Sequence, residues 1–190
     1  MKNGEQTKAL LAATLKELMA NRPLEKISIK ELAEAAQVNR QTFYYHFEDI
    51  YDLLKWTLQE EVIQLLAQQE GAGIWQEGLL QLFRYIEDNR AFATCALESV
   101  GHKHLKRFFY ADINNIIGKV VQDVGNDMRI PEEHMNFLTH YYTISLAAMV
   151  VSWLQQEMDH TPEQLIQMID TIIMDQLNGA LHRMKKDHTE

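Results

Sequence analysis

An all-α fold in two parts is what this sequence predicts. An N-terminal three-helix domain of helix-turn-helix pattern spans 1–50, and a larger C-terminal helical bundle that dimerises spans 51–190. Three observations carry that expectation. Apolar residues recur at helical spacing along most of the chain, and no convincing alternating run supports a sheet. The three prolines, Pro23, Pro131 and Pro162, fall where helices should start or stop. Two late segments carry more apolar surface than a lone helical hairpin buries on one side. The coarse reading places helices over 5–20, 29–35, 40–46, 49–69, 73–88, 91–99, 103–125, 132–156 and 162–183.

The first helix shows Leu11, Thr14, Leu15, Leu18 and Met19 on one face, and Asn21-Arg22-Pro23 ends it. Ser28 caps the second helix. Glu31, three residues on, completes a capping box flanked by Ile27 and Leu32 as a hydrophobic staple. Leu32, Ala33 and Ala36 face inward. A short break at Gln37-Val38 follows, and Asn39 caps a third helix. There Phe43 and Phe47, four residues apart, share one face and anchor the helix to the first two. The opposite face shows Gln41 and Tyr45, with Arg40, Thr42 and Tyr44 on its shoulders and no carboxylate until Glu48.

The chain has 190 residues, 46% of them hydrophobic, enough for one sizeable core or a small module joined to a larger one. A single cysteine, Cys95, cannot bridge internally, which favours a reducing compartment and a buried, inert thiol. Met1 to Lys8 are polar and lack the pattern of a secretory leader. The longest mostly apolar stretch, Tyr141 to Leu154, is 14 residues long, too short to span a bilayer. A cytoplasmic protein with no membrane partner is expected. The net charge of −9 is uneven. Residues 1–60 hold eight Lys/Arg against nine Asp/Glu, and the other 130 hold ten against eighteen. An acidic body with a near-neutral head is compatible with nucleic-acid binding where basic side chains cluster locally.

Residues 28 to 46 have the lengths a helix-turn-helix needs, and the major groove, about 12 Å wide, admits one helix. Arg40 can donate two bonds to guanine, and Gln41 can pair with adenine. Thr42, Tyr44, Tyr45 and His46 can bond phosphates or offer apolar edges to thymine methyls. Lys30 can reach the groove or the backbone.

The run from Ser28 to Phe47 resembles the DNA-binding domain of the TetR family of bacterial regulators. Val38, Asn39, Thr42, Phe43, Tyr44, His46 and Phe47 match its signature, and Leu53 and Leu54 match the amphipathic helix that follows. The resemblance covers residues 5 to 60; beyond them only length and helical content agree. It implies DNA contacts from Lys30, Asn39, Arg40, Gln41, Thr42 and Tyr44, with Tyr45 and His46 meeting the backbone. Two positions depart. The glycine usual in the turn is Gln37, tolerable in a left-handed conformation at a cost of about 1 kcal/mol. The lysine usual at the start of the fourth helix is Ile50, and Tyr51 stands where an acidic residue is common, so one phosphate contact is expected to be missing.

The resemblance further implies a homodimer built by the C-terminal helices. The expected interface is Leu138, Tyr142, Ser145, Met149 and Trp153 on one helix with Leu165, Ile169 and Ile173 on the other. Two recognition helices then address a palindromic operator on double-stranded DNA, with half-sites about 34–36 Å apart. Repression is expected more often than activation. An effector pocket lined by Trp56, Trp75, Phe83, Phe92, Phe108 and Phe109 is expected for a small molecule that modulates DNA affinity. The run from Thr42 to Trp56, with Trp153 and Leu177-Asn-Gly179, resembles a subgroup related to the dihydroxyacetone kinase operon regulator, which implies a coregulator protein and activation as the alternative.

Other function classes fit less well. His102 and His104, two apart, point about 200° from each other on a helix and do not converge on one ion. His134 and His140 are six apart, and no nucleophile, base and orienting group share an evident geometry. No cofactor, metal or enzymatic activity is expected. A helical protein-interaction module with a disused helix-turn-helix would explain the acidic charge and Ile50. It would not explain Arg40, Gln41, Thr42 and Tyr44 together on one short helix.

Overall fold

The structure is a computed structural model that describes residues 4–67, 75–126 and 130–187, with side chains undescribed at 66–67, 100–109, 111–112, 123–126, 177–178 and 180–187. It is all-α, with no strand among the described residues. The elements run α1 (Gly4–Met19), a 3₁₀ turn (Leu24–Lys26), α2 (Ile29–Ala35), α3 (Arg40–His46) and α4 (Ile50–Leu58). A π-helical turn (Gln59–Ile63), α5 (Gln64–Ala67), α6 (Trp75–Asp88), α7 (Arg90–Asn126), α8 (Glu132–Leu154) and α9 (Pro162–Asp187) follow.

The chain divides into two compact units. One holds residues 1–64 and 85–113, the other 65–84 and 114–190. In the first, α1 buries Leu11, Leu15 and Met19 against Leu32 of α2 and Phe43 of α3. Leu24, fully buried on the 3₁₀ turn, plugs the base of this core. The core does not stop at residue 50. Ile50, Leu53 and Leu54 of α4 complete it, together with Phe92, Cys95 and Ala96 of α7. Helices of 16, 7 and 7 residues present too little apolar area to close a core alone. Cys95 is buried there, its thiol 3.5 Å from the Arg22 carbonyl oxygen.

Several helices differ from the expected segmentation. The segments expected over 91–99 and 103–125 are one 37-residue helix, α7. Gly101 lies inside it, since an interior glycine costs only about 1 kcal/mol relative to alanine and does not end a well-packed helix. In the same way α9 runs through Gly179 to Asp187, beyond the end expected at 183. The helix expected over 49–69 is α4, the π turn and α5.

In the second unit Leu79, Leu82 and Phe83 of α6 are buried, with Trp153 and Leu154 of α8 and Leu165, Ile166 and Ile169 of α9. The Phe83 ring meets Trp153 edge-on at 5.0 Å, and the indole N–H donates to the His160 carbonyl at 2.9 Å. On α8, Thr139 and Thr143 also point inward, and the Thr143 hydroxyl donates to the Thr139 carbonyl at 2.7 Å. The helix reaches back to Glu132. At 23 residues it is long and apolar enough to cross a membrane by length and composition, whereas the 14-residue stretch from Tyr141 to Leu154 within it is too short.

The interface expected on α8 and α9 needs correction. Trp153, Leu165 and Ile169 are buried within their own chain and are closed to a second copy. Leu138, Tyr142, Ser145, Met149 and Ile173 are half-buried, and the Tyr142 hydroxyl donates to Gln176 Oε1 on α9 of the same chain. The exposed apolar stripe on α8 is Phe137, Tyr141, Ile144 and Ala148. Each stands one residue before its expected counterpart, a rotation of about 100°. Because α8 is apolar almost all round, spacing alone could not choose its inward side. Met168, Ile172 and Met174 are exposed apolar residues on α9.

The expected pocket aromatics also settle differently. Phe83 and Phe92 are core residues of the second and first unit respectively. Trp56 is half-buried against Phe47 at 5.8 Å, with the Lys8 ammonium 5.5 Å from its ring. Trp75 is half-buried at the start of α6. The Phe108 and Phe109 side chains lie outside the described residues.

Candidate nucleic-acid interface

Helices α2 and α3 form the helix-turn-helix, and the bonds that shape it are local. Ser28 Oγ accepts from the Glu31 amide at 3.2 Å, the expected cap. The Glu31 carboxylate, expected to close the capping box, is instead engaged by Arg22 Nη2 at 2.6 Å. That ion pair ties the chain between α1 and the 3₁₀ turn to α2.

The turn itself is a Schellman closure. Val38 N–H donates to the Ala33 carbonyl at 2.9 Å, and Gln37 N–H donates to Glu34 at 3.1 Å. The closure requires a left-handed residue, and Gln37 supplies it with φ 53°. Glycine adopts this conformation without a Cβ penalty. Gln37→Gly is therefore expected to raise stability by a few tenths to about 1 kcal/mol, read by urea unfolding. A loss of stability would mean that the Gln37 side chain makes a contribution the turn geometry does not account for.

Asn39 then caps α3, its Oδ1 accepting from the Gln41 amide at 2.9 Å. Phe43 and Phe47 point inward, tilted against each other at 5.9 Å. With that face fixed, Gln41 and Tyr45 point outward, Arg40 and Tyr44 flank them, and all four are exposed, Tyr45 to 84%. Thr42 and His46 are half-buried on the shoulders. Tyr44 stands edge-on to the buried Phe43 at 5.6 Å, which braces its ring from below, and Tyr45 stands edge-on to the half-buried His46 at 4.9 Å. A Cβ at Gly4 would lie 3.4 Å from His46 Cε1, ordinary van der Waals contact, so the start of α1 lies close to the end of α3.

Lys30 is exposed on α2, its ammonium 3.8 Å from the Glu34 carboxylate at the next turn. Such a pair holds loosely in water and leaves the ammonium able to turn to a phosphate. Asp49 caps α4, accepting from the amides of Tyr51 and Asp52, both at 2.8 Å. Ile50, at the position of the family's usual lysine, turns into the core, while Tyr51 is exposed on the first turn of α4. The structure thus presents donors and phenols on one side of α3. Of the residues expected to meet DNA, Arg40, Gln41, Tyr44 and Tyr45 are exposed on α3, Thr42 and His46 are half-buried, Asn39 is its cap, and Lys30 is exposed on α2.

One constellation in the same unit was not legible beforehand. The Lys16 ammonium and the Tyr85 hydroxyl each donate to the same oxygen of Glu61, both at 2.5 Å. Burial first, then the hydrogen bond to Glu61 and its charge, push the Tyr85 hydroxyl far above its ordinary pKa. It therefore stays a donor at physiological pH. Three residues on three helical segments, 45 and 24 positions apart, leave no spacing signal in a sequence.

Comparison with known proteins agrees with this geometry. Residues 10–55 match the family described as "Bacterial regulatory proteins, tetR family", and residues 74–175 match "Transcriptional regulator C-terminal region". The chain is 27% identical over 151 residues to the HTH-type dhaKLM operon transcriptional activator DhaS of Lactococcus lactis, covering 78% of this chain and 80% of that protein. It is 24% identical over 174 residues to the HTH-type transcriptional regulator YxbF of Bacillus subtilis, covering 87% of this chain but 44% of YxbF. The fold is shared with the solved structure of the dihydroxyacetone kinase operon activator DhaS, with TM-score 0.74 at 24% identity over 90% of this chain and 96% of that one. A TetR-family transcriptional regulator from Streptomyces coelicolor gives TM-score 0.59 at 16% identity, over 98% and 91% of the two chains. These families and relatives are transcriptional regulators, not enzymes. With the helix-turn-helix and the C-terminal region both matched, this chain belongs to the TetR family of bacterial DNA-binding transcriptional regulators.

Proposed function

We propose that the protein is a cytoplasmic homodimer whose two α3 helices read the half-sites of a palindromic operator, and that it acts there as a repressor. The observation that carries this reading is the division of α3. One side is locked into the core by Phe43 and Phe47, while Arg40, Gln41, Tyr44 and Tyr45 stand exposed on the other. Packing explains the first side and does not require the second. In this reading Arg40 and Gln41 address base edges, and Tyr44 and Thr42 brace the helix in the groove. Lys30, Tyr45, His46 and Tyr51 meet phosphates, and Asn39 supports the helix start.

The dimer follows from the unpartnered stripe on α8. A chain that leaves Phe137 65% exposed beside Tyr141 and Ile144 carries a contiguous apolar patch. In a DNA-binding regulator a second copy covers such a patch at no loss of symmetry. Ala147 and Ala148 let two α8 helices approach closely. In this reading a small molecule bound to the C-terminal part, 51–190, modulates DNA affinity. Similarity to a protein described as an operon activator favours a second reading, activation controlled by a coregulator protein.

The test is selection of genomic fragments by the purified protein at two salt concentrations, followed by transcription from the recovered promoter in vitro. A palindrome whose binding weakens with salt, by about −0.9 in log–log slope per phosphate contacted, supports the reading. Reduced transcript supports repression, and increased transcript supports the second reading. No enriched sequence at either salt concentration would sink the proposal of an operator reader.

A further inference from the structure

The polar cluster around Glu61 lies in the first unit, away from the outward face of α3. Glu61 sits on the π turn, whose closing bond runs from Gln64 N–H to the Gln59 carbonyl, five residues back. Such single turns insert one extra residue into an α-helix and recur at functional sites. Here the inserted residue has a consequence. The turn brings a carboxylate to Lys16 of α1 and Tyr85 of α6, and one oxygen accepts from both. The Lys16 ammonium also lies 5.0 Å from the Tyr85 ring centre and 5.5 Å from that of Phe92 on α7. Four elements therefore meet at one part-buried ion pair. On its other side α1 packs Leu11 and Leu15 into the core that holds Phe43 of α3. The far parts of α6 and α7 belong to the second unit.

We propose that Lys16, Glu61 and Tyr85 form a conformational latch on the head. Closed, it fixes α1, and with it the recognition helix α3, against the π turn and the ends of α6 and α7. Open, the π turn relaxes to regular α-helix. The residues beyond it then shift by one position, a rotation of about 100° and a rise of about 1.5 Å, and Glu61 leaves its partners. The opened head has more freedom to lose on DNA binding, so operator affinity falls. The latch rests on the reading of α3 as the operator reader and names the element through which affinity is modulated. Glu61 and Tyr85 are positioning residues in this scheme; neither faces DNA.

The experiment uses the full chain with Glu61→Gln, Tyr85→Phe and the apolar triple variant Lys16→Met/Glu61→Leu/Tyr85→Phe. Backbone hydrogen exchange over 59–64, thermal stability and operator affinity are measured for each. The expected result is faster exchange at the Gln64 amide and operator affinity weakened roughly two- to thirtyfold. The triple variant keeps thermal stability, because apolar replacement of an ion pair withdrawn in part from water is often neutral or stabilising. A purely structural cluster would lower stability and leave the affinity of the folded protein untouched. Affinity within twofold of the parent in all three variants overturns the latch, and so does unchanged exchange at 59–64. Tyr85→Phe removes one hydroxyl and keeps the ring, so it serves if Glu61→Gln does not fold. If the parent protein binds no operator, the operator reading has failed by itself, and the exchange data alone decide the latch.

Discussion

Ile144→Glu is expected to turn a dimer into a monomer and to cost at least a thousandfold in operator affinity. Ile144 is 38% exposed in the single chain, between Tyr141 and Ala148 on the outward stripe of α8. A carboxylate there stays hydrated in the monomer, so the helical content of the fold should persist. In the proposed dimer the same side chain is enclosed. A two-fold interface also repeats every substitution, so two carboxylates approach one another. Burying unpaired charge costs several kcal/mol per ion, and every 1.4 kcal/mol is tenfold in association. A monomer presents one α3 and loses the second half-site. Sedimentation at micromolar concentration and operator titration read the two effects separately. Trp153→Ala is the contrast, because Trp153 is buried against Phe83 and its loss costs about 3–5 kcal/mol of fold stability before any assembly. A dimer that survives Ile144→Glu would show that the exposed stripe is not the interface.

That stripe marks the limit of reading a helix from its sequence. The three helices of the head were legible because each carries apolar residues on one side only. Leu11, Leu15 and Met19 on α1, or Phe43 and Phe47 on α3, leave one way to face the core. The caps were legible for a related reason, since Ser28 and Asn39 bond amides two or three residues away. On α8 Phe137, Leu138, Tyr141, Tyr142, Ile144 and Met149 spread apolar surface round the helix. There the inward side is chosen by Phe83, His160 and Gln176, which lie on other segments.

The same distinction separates the candidate DNA-reading face from the cluster around Glu61. Residues 28 to 47 are contiguous, so the reading face could be assembled from one short run. Arg22 on Glu31, Cys95 beside Arg22, and Lys16 with Tyr85 on Glu61 are tertiary pairings between residues whose own neighbourhoods are unremarkable. Gln37 is an intermediate case. Family resemblance flagged its position as one that wants glycine, and its φ of 53° shows that the turn keeps its geometry with a side chain in place. The head boundary at residue 50 missed α7 for the tertiary reason again. Phe92, Cys95 and Ala96 close the head's core from more than 40 residues away.

Phe43→Ala and Gln41→Ala, two residues apart on α3, are expected to abolish operator binding and to weaken it, respectively, by unrelated routes. Phe43 is fully buried, in ring contact with Phe47 and Tyr44. Its truncation removes a whole ring from the core, at about 3–5 kcal/mol. A small domain is stable by only about 5–15 kcal/mol, so the head of this variant should unfold at a much lower temperature and lose far-UV helical signal with it. Operator binding then fails because α3 is no longer held as a helix. Gln41 is exposed, and its backbone amide is capped by Asn39 whatever the side chain. Gln41→Ala should leave unfolding within about 0.5 kcal/mol of the parent. Its cost should appear against DNA alone, as the roughly five- to hundredfold loss that follows from removing one base pairing of about 1–3 kcal/mol. That loss should be largest for operators carrying the adenine it reads, and small for a substituted half-site. Equal affinity for the two half-sites in the parent protein would take base reading away from Gln41. Phe43→Ala would still unfold the head in that case, because the inward side of α3 is fixed by packing whichever groups on its outward side meet DNA.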